Sequence, residues 1–138
     1  MSDFQTTKSS VGRVLDTRWR TGKHGEDGAR PGQLDPTAFT AGTHYNLPGK
    51  PANNTIPSGT AVQKLASGLY GPLVADGVLA GYVNDDYGVE LGATPATAKP
   101  TFALLIHGVI NPDFLPIAAQ KALVAVAGTS GLFTYTTN

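Results

Sequence analysis

Apolar residues are sparse and without period over residues 1–32, where only Met1, Phe4, Val11, Val14, Leu15, Trp19 and Ala29 interrupt polar and glycine positions. Gly12, Gly22, Gly25, Gly28 and Gly32 loosen the backbone there, so the stretch reads as an extended N-terminal arm. From Pro31 to Pro57 prolines punctuate the chain, and Leu34, Phe39 and Tyr45 stand as apolar anchors between turn residues, which predicts loops with one short strand. Thr60 to Leu65 and Leu69 to Val74 flank Ala66-Ser67-Gly68, the pattern of a β-hairpin. Val78 to Val83 is a further apolar run, closed by the turn residues Asn84-Asp85-Asp86, and residues 88–99 form a loop rich in Thr and Ala.

The last third carries the strongest pattern. Thr101 to Ile110 is apolar on both alternating faces, which predicts a central or interface strand covered on both sides. After the turn Asn111-Pro112-Asp113, Pro116 suits a helix start. Ile117 to Ala127 then reads as a helix of about three turns, apolar nearly all round except at Gln120 and Lys121 and closed by Gly128. Leu132 to Thr137 reads as a closing strand. The fold class expected is therefore α+β, mainly β with one C-terminal helix, with residues 33–138 as the β-rich domain. From Phe114 onward Lys121 is the only charge. A chain of this size has little interior in which to hide both a two-sided strand and an all-apolar helix, which predicts a homo-oligomer. Phe102, Leu104, Ile106, Leu115, Ile117, Leu123 and Val126 are the candidate subunit interface.

Composition supports short strands and turns, with 17 Gly, 10 Pro and 16 Thr in 138 residues. Only 14% of residues are charged and the net charge is zero, so no large field favours nucleic acid or a membrane. Residues 1–50 are net +2 and the remainder net −2, which makes the first third the basic part. With no cysteine there is no disulfide, thiolate metal site or cysteine nucleophile. The N-terminus has no apolar signal core, which predicts a chain made in the cytoplasm. The Gly22–Gly28 stretch matches no phosphate loop, and His24 with Glu26 and Asp27 falls short of a converging ligand set. His44 has no partner at metal spacing. Asp85-Asp86 is half a calcium loop. His107 lies inside an apolar strand and needs a hydrogen-bond partner if buried, but a Ser130–His107–Asp113 triad lacks a nucleophile elbow. The expectation is no enzyme, no cofactor, no metal and no small-molecule substrate.

The arm is the remaining candidate. Arg13, Arg18, Trp19 and Arg20 place the only tryptophan among guanidinium groups, residue types that anchor interfaces, and a segment ordering on a partner is preferred over one whose Trp19 packs back on its own domain. The run Ile56-Pro57-Ser58-Gly59-Thr60, the hairpin with Gly68-Leu69-Tyr70, the strand ending Gly108-Val109, the Leu115-Pro116 helix start with Ala118, Ala119 and Ala122, and the final Gly131-Leu132-Phe133 resemble, in order and spacing, the head decoration proteins of lambda-like tailed bacteriophages. The likeness covers residues 33–137. The arm is longer and richer in glycine, and the last strand richer in threonine, than the family's pattern. The resemblance implies a homotrimer on the outer surface of an expanded capsid, with the arm on the major capsid protein through Phe4, Gln5, Thr6, Arg13, Val14, Arg18, Trp19 and Arg20. The alternatives are a carbohydrate- or receptor-binding module using Trp19, Tyr45, Tyr70, Tyr82 and Tyr87 as stacking platforms, and a hydrolase around His107.

Overall fold

A computed structural model of the chain describes residues 16–22, 28–50, 52–98 and 100–136. In chain order the strands are β1 (Arg30–Gln33), β2 (Thr55–Ile56), β3 (Ala61–Lys64), β4 (Tyr70–Pro72), β5 (Val78–Leu79) and β6 (Gly81–Val83). They continue with β7 (Val89–Glu90), β8 (Thr101–Leu105), β9 (His107–Ile110), the α-helix α1 (Ala118–Val126), β10 (Gly128–Thr129) and β11 (Leu132–Tyr135). Among the described residues the protein is thus mainly β with one α-helix, near its C-terminus, as its sequence pattern predicts.

Five strands form an antiparallel sheet in the order β1-β8-β6-β3-β4. The expected hairpin is β3 and β4, with Val62 opposite Pro72 and the turn tightened by Gly68, whose φ of 90° suits glycine. Leu34, directly after β1, bridges Tyr70, and the Asp35 N–H donates to the Tyr70 carbonyl at 2.9 Å, so the two edges of the sheet meet at one end. Two predicted runs are each broken in the middle. Val78 to Val83 divides at Ala80, and Thr101 to Ile110 divides at Ile106, where the chain leaves the large sheet and β9 pairs in parallel with β11. The break lets one apolar run serve two sheets.

Neighbouring residues on three strands alternate between two cores. Val62, Val83, Phe102 and Leu104 join Leu34, Phe39, Tyr45, Ile56, Val89 and Leu91 on one side. Ala61, Tyr82 and Leu105 join Trp19, Leu73, Leu79, Ile110, Leu115 and Val124 on the other. Period-two alternation on a sheet covered on both faces produces this division. It also changes the reasoning about oligomers: the second face of β8 is covered within one chain, by residues 19–21 and the segment from β9 to α1. Phe102, Leu104, Leu115 and Ile117 are therefore core residues of the single chain rather than interface residues, and Ile106 and Leu123 are half-buried against the two cores.

The helix also departs from expectation. Its faces are not covered all round: of its nine residues only Gln120 and Val124 are buried, while Ala118, Ala119, Lys121, Ala122, Ala125 and Val126 face outward. Methyl groups of alanine are small enough that leaving them in water costs little, so helix propensity rather than burial accounts for their number. The polar residue is the one held inside. Ala127 caps the helix in extended conformation, with its N–H on the Leu123 carbonyl, and Gly128 opens β10 instead of forming a left-handed cap.

Candidate functional site

Residues 16–22 belong to the body of the protein, which moves the boundary expected at residue 32. Trp19 is fully buried. Its indole N–H donates to Ser58 Oγ at 3.0 Å, its ring stacks on Tyr82 at 5.7 Å between centroids, and its carbonyl accepts from the Asn111 N–H at 2.8 Å. Arg20 bridges Ile110, and the Thr21 N–H donates to the Val109 carbonyl, so residues 19–21 run along the edge of β9 that β11 leaves open. Gly59 is part of the seat: its φ is 89°, and a Cβ there would lie 2.6 Å from the indole. Thr60 Oγ1 closes the turn on the Pro57 carbonyl at 2.8 Å. Pro57-Ser58-Gly59-Thr60 is thus the receptor of the tryptophan. Trp19, expected on a partner, packs instead on its own domain, because a flat indole with one N–H finds both a glycine-lined slot and an acceptor there.

The flanking arginines split their roles. Arg20 is nearly buried, with its guanidinium on Asn84 Oδ1 and on Asp86 Oδ1, and it too serves the fold. Arg18 faces solvent, forked onto Asp16 at 3.0 and 2.9 Å and lying 4.5 Å above the Phe114 ring. The Arg18 hydrogen bond holds the Asp16 carboxyl below its ordinary range. Phe4, Gln5, Thr6, Arg13 and Val14 lie outside the described residues, as do His24, Glu26 and Asp27.

Of the candidate interface residues, Val126 alone is fully open, at 84% exposure. It does not stand by itself. Val78, also exposed, pairs with Gly128 two residues along, and Leu132, 71% exposed, starts β11 three residues after Thr129. Val74 and Tyr135 are further exposed apolar residues on these segments. They are spread along the C-terminal segment and the turn beside it, where Lys121 on α1 is the only cation after Phe114. Exposed apolar groups in a charge-poor setting of this kind mark interaction surface.

Tyr82 and Tyr135 share a hydrogen bond of 2.9 Å between hydroxyls. Burial raises both above the ordinary tyrosine range, Tyr82 the more strongly. A pKa raised on folding gives stability that is complete below the unfolded value of about 10 and is lost as pH climbs above it. Tyrosinate absorbance should therefore show Tyr82 ionising only in a cooperative step that coincides with loss of circular dichroism. Ionisation of Tyr82 near pH 10 with the fold intact would refute this.

The other candidate groups do structural work. His44 Nδ1 accepts from the Thr40 N–H at 2.9 Å, its ring meets Phe39 edge-on, and burial lowers its pKa. Asp85 accepts from the Ala103 N–H as a turn residue. Asp113 is paired with Lys121 rather than with His107. Among the described residues no three His, Asp or Glu side chains converge as metal ligands, and no helix is long and apolar enough to cross a membrane. As stacking platforms Trp19, Tyr45 and Tyr82 are unavailable because they are buried, and Tyr70 packs edge-on against Phe102. Tyr87 is exposed, beside a cleft of about 100 Å³ reaching from Asn46 to Pro116. Much of that cleft's polar lining is already engaged, Asn46 with Asn54 and Ser58 with Trp19. No protein-family model, curated protein or solved structure matches the chain.

Proposed function

We propose that the protein is a structural coat component that decorates the outer surface of an expanded phage capsid as a homotrimer. The observation that carries the reading is the exposed apolar surface that Val74, Val78, Val126, Leu132 and Tyr135 present. A second copy of the chain would cover it without meeting like charge. The sequence resemblance over residues 33–137 and the mainly-β fold with one C-terminal helix support the same reading. Residues before Asp16, with Phe4, Gln5, Thr6, Arg13 and Val14 among them, meet the major capsid protein, and Arg18 stands exposed where that segment joins the body. Three such segments on one trimer bind together, because attachment of one raises the effective concentration of the others. A protein that binds only the expanded shell stabilises it by mass action.

Removal of residues 1–15 should leave the oligomer unchanged in light scattering and lower the copies retained on purified expanded heads of a lambda-like phage at least tenfold. A full-length chain that stays monomeric at micromolar concentration and does not sediment with the heads would overturn the proposal. Full occupancy by the truncated protein would overturn the role given to the N-terminal segment.

A further inference from the structure

We infer that the seam opened where β8 gives way to β9 is a binding trough for a small amphipathic anion, a single-chain organic acid with its charged head at Arg30 and Lys64. The trough has a volume of about 480 Å³, within the ordinary range for small-ligand sites. Its position follows from the register: Arg30 stands opposite Leu104 at the start of β1, Lys64 opposite Tyr70 at the end of β3, and Leu132 opposite His107 where β11 begins. Ile106, the residue at the break, lies between the two sheets.

Three features give the ligand its chemistry. Leu104 and Ile106 supply apolar lining that is buried or half-buried, and the exposed Leu132 adds to it. Arg30 and Lys64 both reach solvent, and the ion pairs formed among the described residues, Arg18–Asp16, Arg20–Asp86 and Lys121–Asp113, include neither. No carboxylate is among the lining residues, in a protein whose acids and bases balance overall. Two cations over an apolar floor favour an anion that brings its own apolar body, since a bare anion would stay in water and a bare alkane would leave the cations unmatched. An added peptide strand is disfavoured. The Leu34 N–H turns toward the Pro100 carbonyl, so alternation along β1 turns the backbone of residue 31 to the outer edge, and residue 31 is a proline with no N–H to donate. Leu132 is shared with the exposed apolar surface assigned above to a second copy, but Arg30, Lys64, Leu104 and Ile106 are not, and the inference does not depend on shell decoration.

The test uses the full chain with four probes: decanoate, decyl phosphate, decanol and acetate, followed by isothermal titration and by amide chemical shifts. Decanoate or decyl phosphate should bind saturably, with shifts confined to residues near 30, 64, 104–107 and 130–132, and whichever binds more tightly names the head group. The R30Q/K64Q double variant should weaken that binding at least tenfold. K121Q, which removes a cation elsewhere, should not change it. Equal urea midpoints of all three proteins show that the loss is not unfolding. Decanol binding as tightly as both anions, acetate binding as tightly as decanoate, the double variant binding as the parent does, or no saturable binding of either amphiphile would each overturn the inference.

Discussion

Replacing Trp19 by alanine should lower the stability of the protein by about 3–5 kcal/mol, the cost of emptying a large aromatic site in a packed core. Three losses coincide. The indole leaves a cavity against Tyr82 and Gly59, Ser58 Oγ loses its donor inside the protein, and residues 19–21 lose the anchor that holds them along β9. A small domain has about 5–15 kcal/mol in total, so the variant should sit near the edge of folding at 37 °C. Urea unfolding followed by circular dichroism is the measurement, because Trp19 is the only tryptophan and its fluorescence disappears with the substitution. Trp19→Phe should recover part of the loss, since a phenyl ring fills much of the slot and makes no bond to Ser58. A midpoint for Trp19→Ala within error of the parent would show that the N-terminal segment is not part of the core. The same packing sets a limit on truncation: a deletion that runs past Asp16 removes core as well as any capsid contact.

The strand pattern was readable because period-two alternation is local. The hairpin around Gly68, the two-sided run from Thr101 to Ile110 and the helix after Pro116 all fall close to their expected places. Their partners were harder to read, since pairing is decided by residues far apart in the chain. Trp19 and Ser58 are separated by 39 positions, and no spacing rule links an isolated tryptophan to a Pro-Ser-Gly-Thr turn. A signal was present nonetheless: a glycine beside a small hydroxyl residue is what an indole needs, a place to lie flat and an acceptor for its N–H. The oligomer argument failed on a similar point. It assumed that the second face of β8 lacked cover, whereas Trp19, Ile110, Leu115 and Val124 supply it from both ends of the chain. The exposed apolar residues were legible only in part, through Val126 and the shortage of charge after Phe114. Val74, Val78 and Leu132 read like core in sequence, because a valine on an outer face has the same letter as one inside.

Gln120→Leu should cost about 1–3 kcal/mol although leucine is the better match for the helix around it. Gln120 is 1% exposed, its Nε2 donates to the Ala61 carbonyl at 2.9 Å, and its Oε1 accepts from the Ala61 N–H at 2.8 Å. The two bonds fix which end of the amide is which. β4 ends at Pro72, and although the Leu73 N–H still donates to the Ala61 carbonyl, the Ala61 N–H is met by the glutamine. Leucine would leave that N–H buried without an acceptor, and an orphaned donor costs the full desolvation of the group, whereas the carbonyl keeps Leu73. The neighbouring Lys121 provides the contrast. Its pair with Asp113 is open to solvent, so Lys121→Leu should change stability by less than about 1 kcal/mol. Urea midpoints order the two variants, and hydrogen exchange at the Ala61 amide reads the cause directly: protection should collapse in Gln120→Leu and persist in Lys121→Leu. Undiminished protection in the leucine variant would mean that another group satisfies Ala61. Because Ala61 and Trp19 pack in one core, the losses from Trp19→Ala and Gln120→Leu should not add when combined, the first having already loosened what the second holds.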